Sequence, residues 1–135
     1  MSEMMQYRFI ERALLRLHKQ ELISGSYCSE GSVCLVGAVT VAMMYPQGIL
    51  HLEDVSPFDA NTLCEATPIF GFMENKNEDF GRDDESCERD DYNPNTPALR
   101  KARWEHAYKH VCNQLRTMGE EPLKTKKVNG RLVLA

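Results

Sequence analysis

Two histidines, His106 and His110, stand four residues apart in the segment ALRKARWEHAYKHVCNQLRTMG. On a helix that spacing brings both imidazoles to neighbouring turns of one face, an arrangement two metal ligands can use. A zinc site needs further protein ligands, and no H-E-x-x-H pattern adds a general base. Both histidines also fall far round the helix from Trp104, so they read as a solvated pair on a basic helix surface. Cys28 and Cys34 raise the same question. With His18 or Cys64 they have the donor chemistry for zinc, yet their spacing matches none of the common ligand patterns. The sequence therefore predicts neither a metal nor a cofactor.

Other chemistry leaves little trace in the chain. The segment GSYCSEG has no G-K-[ST] ending and no G-x-G-x-x-G, so it is not a phosphate-cradling loop. No G-x-S-x-G elbow is present. The motif reading is thus not an enzyme, with a site assembled from residues distant in sequence as the remaining alternative. The five cysteines are odd in number and contain no C-x-x-C pair, which points to a reducing compartment rather than a disulfide framework. Cys34 and Cys112 lie within apolar patterns and read as small core residues.

The strongest compositional signal is ENKNEDFGRDDESCERDDYN, residues 74–93, with nine carboxylates against three bases. As a calcium loop it fails. Counting from Asp79, the sixth position is Asp84 rather than glycine and the twelfth is Asp90 rather than glutamate. The remaining readings are a solvated loop, a nonspecific divalent-ion site, or a surface for a protein partner. The last of these would use Asp83, Asp84, Glu85, Glu88, Asp90 and Asp91. The net charge of −4 hides a polarity along the chain: residues 1–73 carry −4, residues 74–93 carry −6 and residues 94–135 carry +6. Two oppositely charged surfaces with different partners would follow from that division. The basic end holds Arg100, Lys101, Arg103, Lys109, Arg116, Lys124, Lys126, Lys127 and Arg131, which supports an alternative reading as a nucleic-acid interface.

The elements that must position these residues are mostly helical. At 135 residues the chain is read as one domain, 1–135. Ser2 caps a first helix with Glu3 in its first turn, and Gly25 is its expected stop. Its apolar stripe is Met5, Phe9, Ala13 and Leu17, widened by Ile10 and Leu14. Ser32 reads as the cap of a second, buried helix, VCLVGAVTVAMMY, with a buried strand as its competitor. Ser56 and Pro57 open a short third helix that Pro68 should stop, and IFGFM then closes over the core. The acidic stretch follows as a loop of about twenty residues, a length usually reserved for function or disorder. Thr96 and Pro97 open the last helix, whose face of Trp104, Ala107, Tyr108, Val111, Cys112, Leu115 and Met118 should be buried, and Gly119 ends it. Asn129-Gly130 signals a two-residue turn and so a short C-terminal hairpin.

The segment GSYCSEGSVCLVGAVTVA resembles a hallmark of an uncharacterised family of small bacterial and phage proteins. In that family an N-terminal helix and a Gly/Trp turn lead into a buried C-[AL]-x-G-A helix. Cys34, Gly37 and Ala38 match it, and Tyr27 stands roughly where the tryptophan falls. The resemblance covers about a third of the chain, implies a mostly helical domain and supplies no activity.

Together these observations predict a mainly α, single-domain bundle of about four helices with a long acidic loop at 74–93. The longest apolar run, Val33–Met44, is too short to span a bilayer, and the N-terminal residues lack the apolar core of a signal peptide. The expected protein is therefore cytoplasmic, without membrane contact. The leading function is a non-enzymatic interaction protein, a phage or mobile-element accessory or inhibitor factor that binds a basic host protein through its acidic surface.

Overall fold

The structure is a computed structural model. It describes residues 2–17, 19–23, 28–29, 32–34, 38, 68–80, 93 and 95–135, with the backbone alone for residues 28, 29, 32, 33 and 79. In chain order the elements are helix α1 (Glu3–Arg16), strands β1 (Cys28–Ser29) and β2 (Ser32–Val33), helices α2 (Pro68–Asp79) and α3 (Pro97–Thr117), and strands β3 (Thr125–Val128) and β4 (Arg131–Leu134). The described part is mostly helical. It contains three helices rather than four, and none of them is long and apolar enough to cross a membrane.

Local chemistry sets where α1 and α3 begin. The Ser2 hydroxyl accepts from the Met5 amide at 3.2 Å, and the Thr96 hydroxyl accepts from the Leu99 amide at 3.3 Å. Pro97 occupies the first helical position of α3, where its missing N–H costs nothing. Gly119 ends α3 with φ +81°, a left-handed conformation that suits glycine. The Gly119 amide donates to Arg116 at 3.0 Å and the Glu120 amide to Leu115 at 2.9 Å, so two orphan carbonyls are answered.

The end of α1 has a different cause. The helix stops at Arg16, well short of Gly25, and Leu17 is extended. The guanidinium of Arg131, from the far end of the chain, donates to the Leu15 carbonyl at 2.7 Å and to the Leu17 carbonyl at 3.1 Å. Carbonyls that would otherwise need a further helical turn, water or a C-terminal cap are thereby satisfied.

Pro68 opens α2, as its fixed φ allows at a first turn; the short helix it was expected to stop lies outside the described residues. The IFGFM segment is consequently helical, and α2 continues through Glu74–Asp79, the first part of the predicted acidic loop. Ser32 is likewise no helix cap: it pairs with Ser29 in the two-residue ladder of β1 and β2. The Ala38 amide donates to the Cys34 carbonyl at 3.0 Å, one turn of helix inside the predicted second helix. The rest of that helix and the short helix expected from Ser56 lie outside the described residues.

The core forms where α1 crosses α3 and α2. Ile10, Leu14, Leu17, Phe70, Met73, Trp104, Val111 and Leu115 are all buried, joined by Cys34 and Ala38. The buried face of α3 is the expected one. The buried face of α1 follows the expected stripe at Ile10, Ala13, Leu14 and Leu17, with Phe9 packed against it, but Met5 is 55% exposed, and Gln6, Tyr7 and Glu11 are buried as well. Glu11 tolerates burial because it is paired. It bonds Arg8 at 3.0 Å and accepts the Leu123 amide at 2.9 Å, fastening the segment after α3 to α1.

The terminal hairpin has the predicted turn. Asn129 (φ 52°) and Gly130 (φ 79°) both take positive φ, the geometry that matches a two-residue loop to the twist of its strands. Lys126 pairs with Val133 and Lys127 with Leu132. Leu132 packs on the core, and Gln20 donates to its carbonyl and accepts from its amide, both at 2.8 Å.

Candidate functional site

A buried polar node underlies the acidic stretch. Arg103, on α3, is 1% exposed. Its guanidinium donates to the Asn77 carbonyl on α2 at 3.2 Å, to the Leu22 carbonyl at 2.9 Å and to the Asn95 side-chain oxygen at 3.3 Å. The Asn77 amide in turn donates to the Ile23 carbonyl at 3.0 Å, and the Leu22 amide donates to the Arg100 carbonyl at 3.0 Å. One delocalised cation with a rigid fork of donors thus ties together α2, α3 and the segment after α1. Asn77 precedes the acidic residues 79–91 and Asn95 follows them, so both flanks of the stretch are held at one point. Asp83, Asp84, Glu85, Glu88, Asp90 and Asp91 themselves lie outside the described residues.

The basic end divides into two populations. Arg103 is withdrawn from the surface, because the node needs its donors. Arg100 is half-buried and pairs with Glu21 at 3.5 Å. Arg131 is spent on the carbonyls at the end of α1. Arg116 is exposed and bonds Asn113 at 3.2 Å. Lys101, Lys109, Lys124, Lys126 and Lys127 are exposed. The sequence reading gave arginine and lysine equal standing. It missed that a planar, weakly hydrated guanidinium suits burial against several carbonyls, whereas an ammonium stays in water.

A cleft of about 470 Å³ opens between the turn of the hairpin and the first half of α3. Lys101, Trp104 and Glu105 line it from α3, and Lys127, Gly130 and Leu132 from the hairpin, with Gln20 and Glu21 at one side. Trp104 is almost fully buried beneath it. Its indole N–H donates to the Leu14 carbonyl at 3.0 Å, and its ring stacks on Tyr108 with centroids 5.1 Å apart.

His106 is exposed, as expected of a solvated histidine, whereas His110 is drawn in where helix α2 packs on α3, which the periodicity of α3 alone did not reveal. The His106 ring lies 4.8 Å from Phe80, and His110 lies 6.4 Å from Phe72. Lys76 stands over the same Phe72 ring at 5.2 Å. His110 is half-buried, and its Nε2 meets no hydrogen-bond partner among the described residues. Burial pushes its pKa down, and the charges of Lys76 and His106 add to the effect. Among the described residues no group of three His, Cys, Asp or Glu side chains is placed to hold a metal. His18 and Cys64 lie outside the described residues, and Cys34 is buried.

The described thiols are unsuited to nucleophilic work. Cys34 and Cys112 are buried, as their apolar settings predicted. Burial pushes the Cys112 thiol up, and its neighbour Tyr108 is pushed up to about 12, first by burial. Neither group is ionised near neutral pH, so neither offers an activated nucleophile. Compared with family models, curated proteins and solved structures, the chain finds no match.

Proposed function

We propose that the protein is a non-enzymatic interaction protein that captures a basic protein partner through Asp83, Asp84, Glu85, Glu88, Asp90 and Asp91. The observation that supports this reading is the anchoring of Asn77 and Asn95 by the single buried guanidinium of Arg103. Binding residues concentrate on segments that a rigid scaffold holds in place. Here the scaffold grips both flanks of the most charged stretch in the chain. Crowded carboxylates repel one another, and a basic partner relieves that repulsion while speeding encounter. An accessory or inhibitor factor acting in the cytoplasm, of the kind phages and mobile elements carry, fits the small size and the odd cysteine count.

The test neutralises all six residues to Asn or Gln. The fold should persist, because the described bonds of Arg103 go to Asn77, Leu22 and Asn95. Affinity capture followed by mass spectrometry should recover a basic protein with the native chain and lose it with the neutral one. Association with that protein should slow as salt rises. Capture by the neutral variant at an unaltered rate overturns the proposal. Calcium and magnesium titrations of the native chain separate partner binding from simple ion binding.

A further inference from the structure

The hairpin of β3 and β4 has two outer edges, and they differ. Val128 and Arg131 flank the two-residue turn, so they form a mutually hydrogen-bonded pair, and bonded pairs then alternate along the ladder. The Ala135 amide donates to the Lys124 carbonyl at 3.0 Å, which fixes the same alternation at the open end. Thr125, Lys127, Leu132 and Leu134 therefore turn their backbone N–H and C=O groups outward. On β4 the Gln20 side chain answers both outward groups of Leu132. On β3 the outward groups of Thr125 and Lys127 have no partner among the described residues.

We infer that the β3 edge is a docking site for an extended acidic segment of a partner protein, added as a third strand. Three features fit this occupant. Thr125 and Lys127 offer two donors and two acceptors at strand spacing, the template for strand addition. Lys124, Lys126 and Lys127 are exposed along that same edge, so an acidic strand meets complementary charge. Val128, on β3 itself, is 44% exposed, which leaves apolar surface beside the lysines for a side chain of the incoming strand.

The same lysines argue against two other occupants. A second copy of β3 would set lysine against lysine, a standard device against edge-to-edge association. A nucleic-acid backbone brings phosphate oxygens, which accept only, so the outward carbonyls of Thr125 and Lys127 would go unanswered. This surface is separate from the acidic stretch, and the proposal does not depend on the one made for that stretch.

Amide-resolved hydrogen exchange and chemical-shift titration test it, with a synthetic peptide alternating valine and glutamate as probe. In the free protein the Thr125 and Lys127 amides should exchange fast while those of Lys126, Val128 and Val133 are protected. The peptide should protect Thr125 and Lys127, and a matching valine–lysine peptide should not. Lys127→Pro removes one of the two outward donors without touching a bond of the hairpin, and it should weaken the peptide by about tenfold. Lys126→Glu with Lys127→Glu keeps every backbone group; it should abolish binding of the acidic peptide and confer binding of the basic one. The proposal is overturned if Thr125 and Lys127 are already protected in the free protein, or if the peptide leaves them unprotected. It is equally overturned if charge reversal leaves the peptide's affinity unchanged, or if a single-stranded oligonucleotide protects the same amides while the peptide does not.

Discussion

Arg103 on α3 donates to the backbone carbonyl of Asn77 on α2, 26 residues earlier in the chain, at 3.2 Å in a buried setting. That bond, with those to Leu22 and Asn95, fixes the angle at which α2 leaves the core. Arg103→Met should destabilise the protein by about 3–5 kcal/mol, because buried acceptors lose their donor. Arg103→Lys should recover little of that, since an ammonium lacks the fork that spans three acceptors. Urea unfolding measures both. A loss below about 0.5 kcal/mol for either variant would place the residue outside any structural role.

Trp104 combines a buried ring with a hydrogen bond to Leu14 and a stack on Tyr108. Trp104→Ala should cost about 3–5 kcal/mol. Trp104→Phe keeps most of the ring but leaves the Leu14 carbonyl without this donor, so about 1–2 kcal/mol is expected. Equal losses for the two variants would show that the hydrogen bond rather than the packing dominates.

Acid should loosen the contact between α2 and α3. The pKa of His110 is lowered from its ordinary 6.5 by burial, then by Lys76 and His106. The unfolded chain therefore takes up a proton that the folded chain refuses. Stability from this source is whole above about pH 6.5 and is lost as pH falls toward the folded value. Urea midpoints measured from about pH 7.5 down to about pH 5 should fall more steeply for the native chain than for His110→Phe. Lys76→Gln should lessen the slope without removing it. Identical slopes for native and His110→Phe would assign the acid sensitivity to other groups.

Arg131→Met should free the Leu17 carbonyl and leave the Leu15 carbonyl to the longer bond from Gln20 at 3.3 Å, at a cost of about 1–3 kcal/mol. The loss should be local. Amides of β4 and of the last turn of α1 should exchange faster, while those in the middle of α3 keep their protection. Uniform acceleration across all elements would instead tie the hairpin to the global unfolding unit.

Ser2, Thr96, Pro97, Gly119 and Asn129-Gly130 each set a boundary through contacts within a few residues, so the sequence alone determined the start of α1, both ends of α3 and the turn of the hairpin. The 3.6-residue period of α3 likewise determined its buried face. Tertiary structure decided what local chemistry leaves open. Pro68 is compatible with ending one helix or beginning another, and its place at the start of α2 carried Glu74–Asp79 out of the expected loop. Met5 is exposed and Glu11 buried because the edges of the α1 stripe are chosen by what packs against them, and Arg8 with the Leu123 amide made a buried carboxylate acceptable. The end of α1 was set by Arg131, the position of α2 by Arg103, and the partial burial of His110 by α2, whose Phe72 lies beside its ring. In each case the decisive partner lies far away in sequence. A guanidinium or a ring has no preference for a particular carbonyl or histidine until the fold brings the two together.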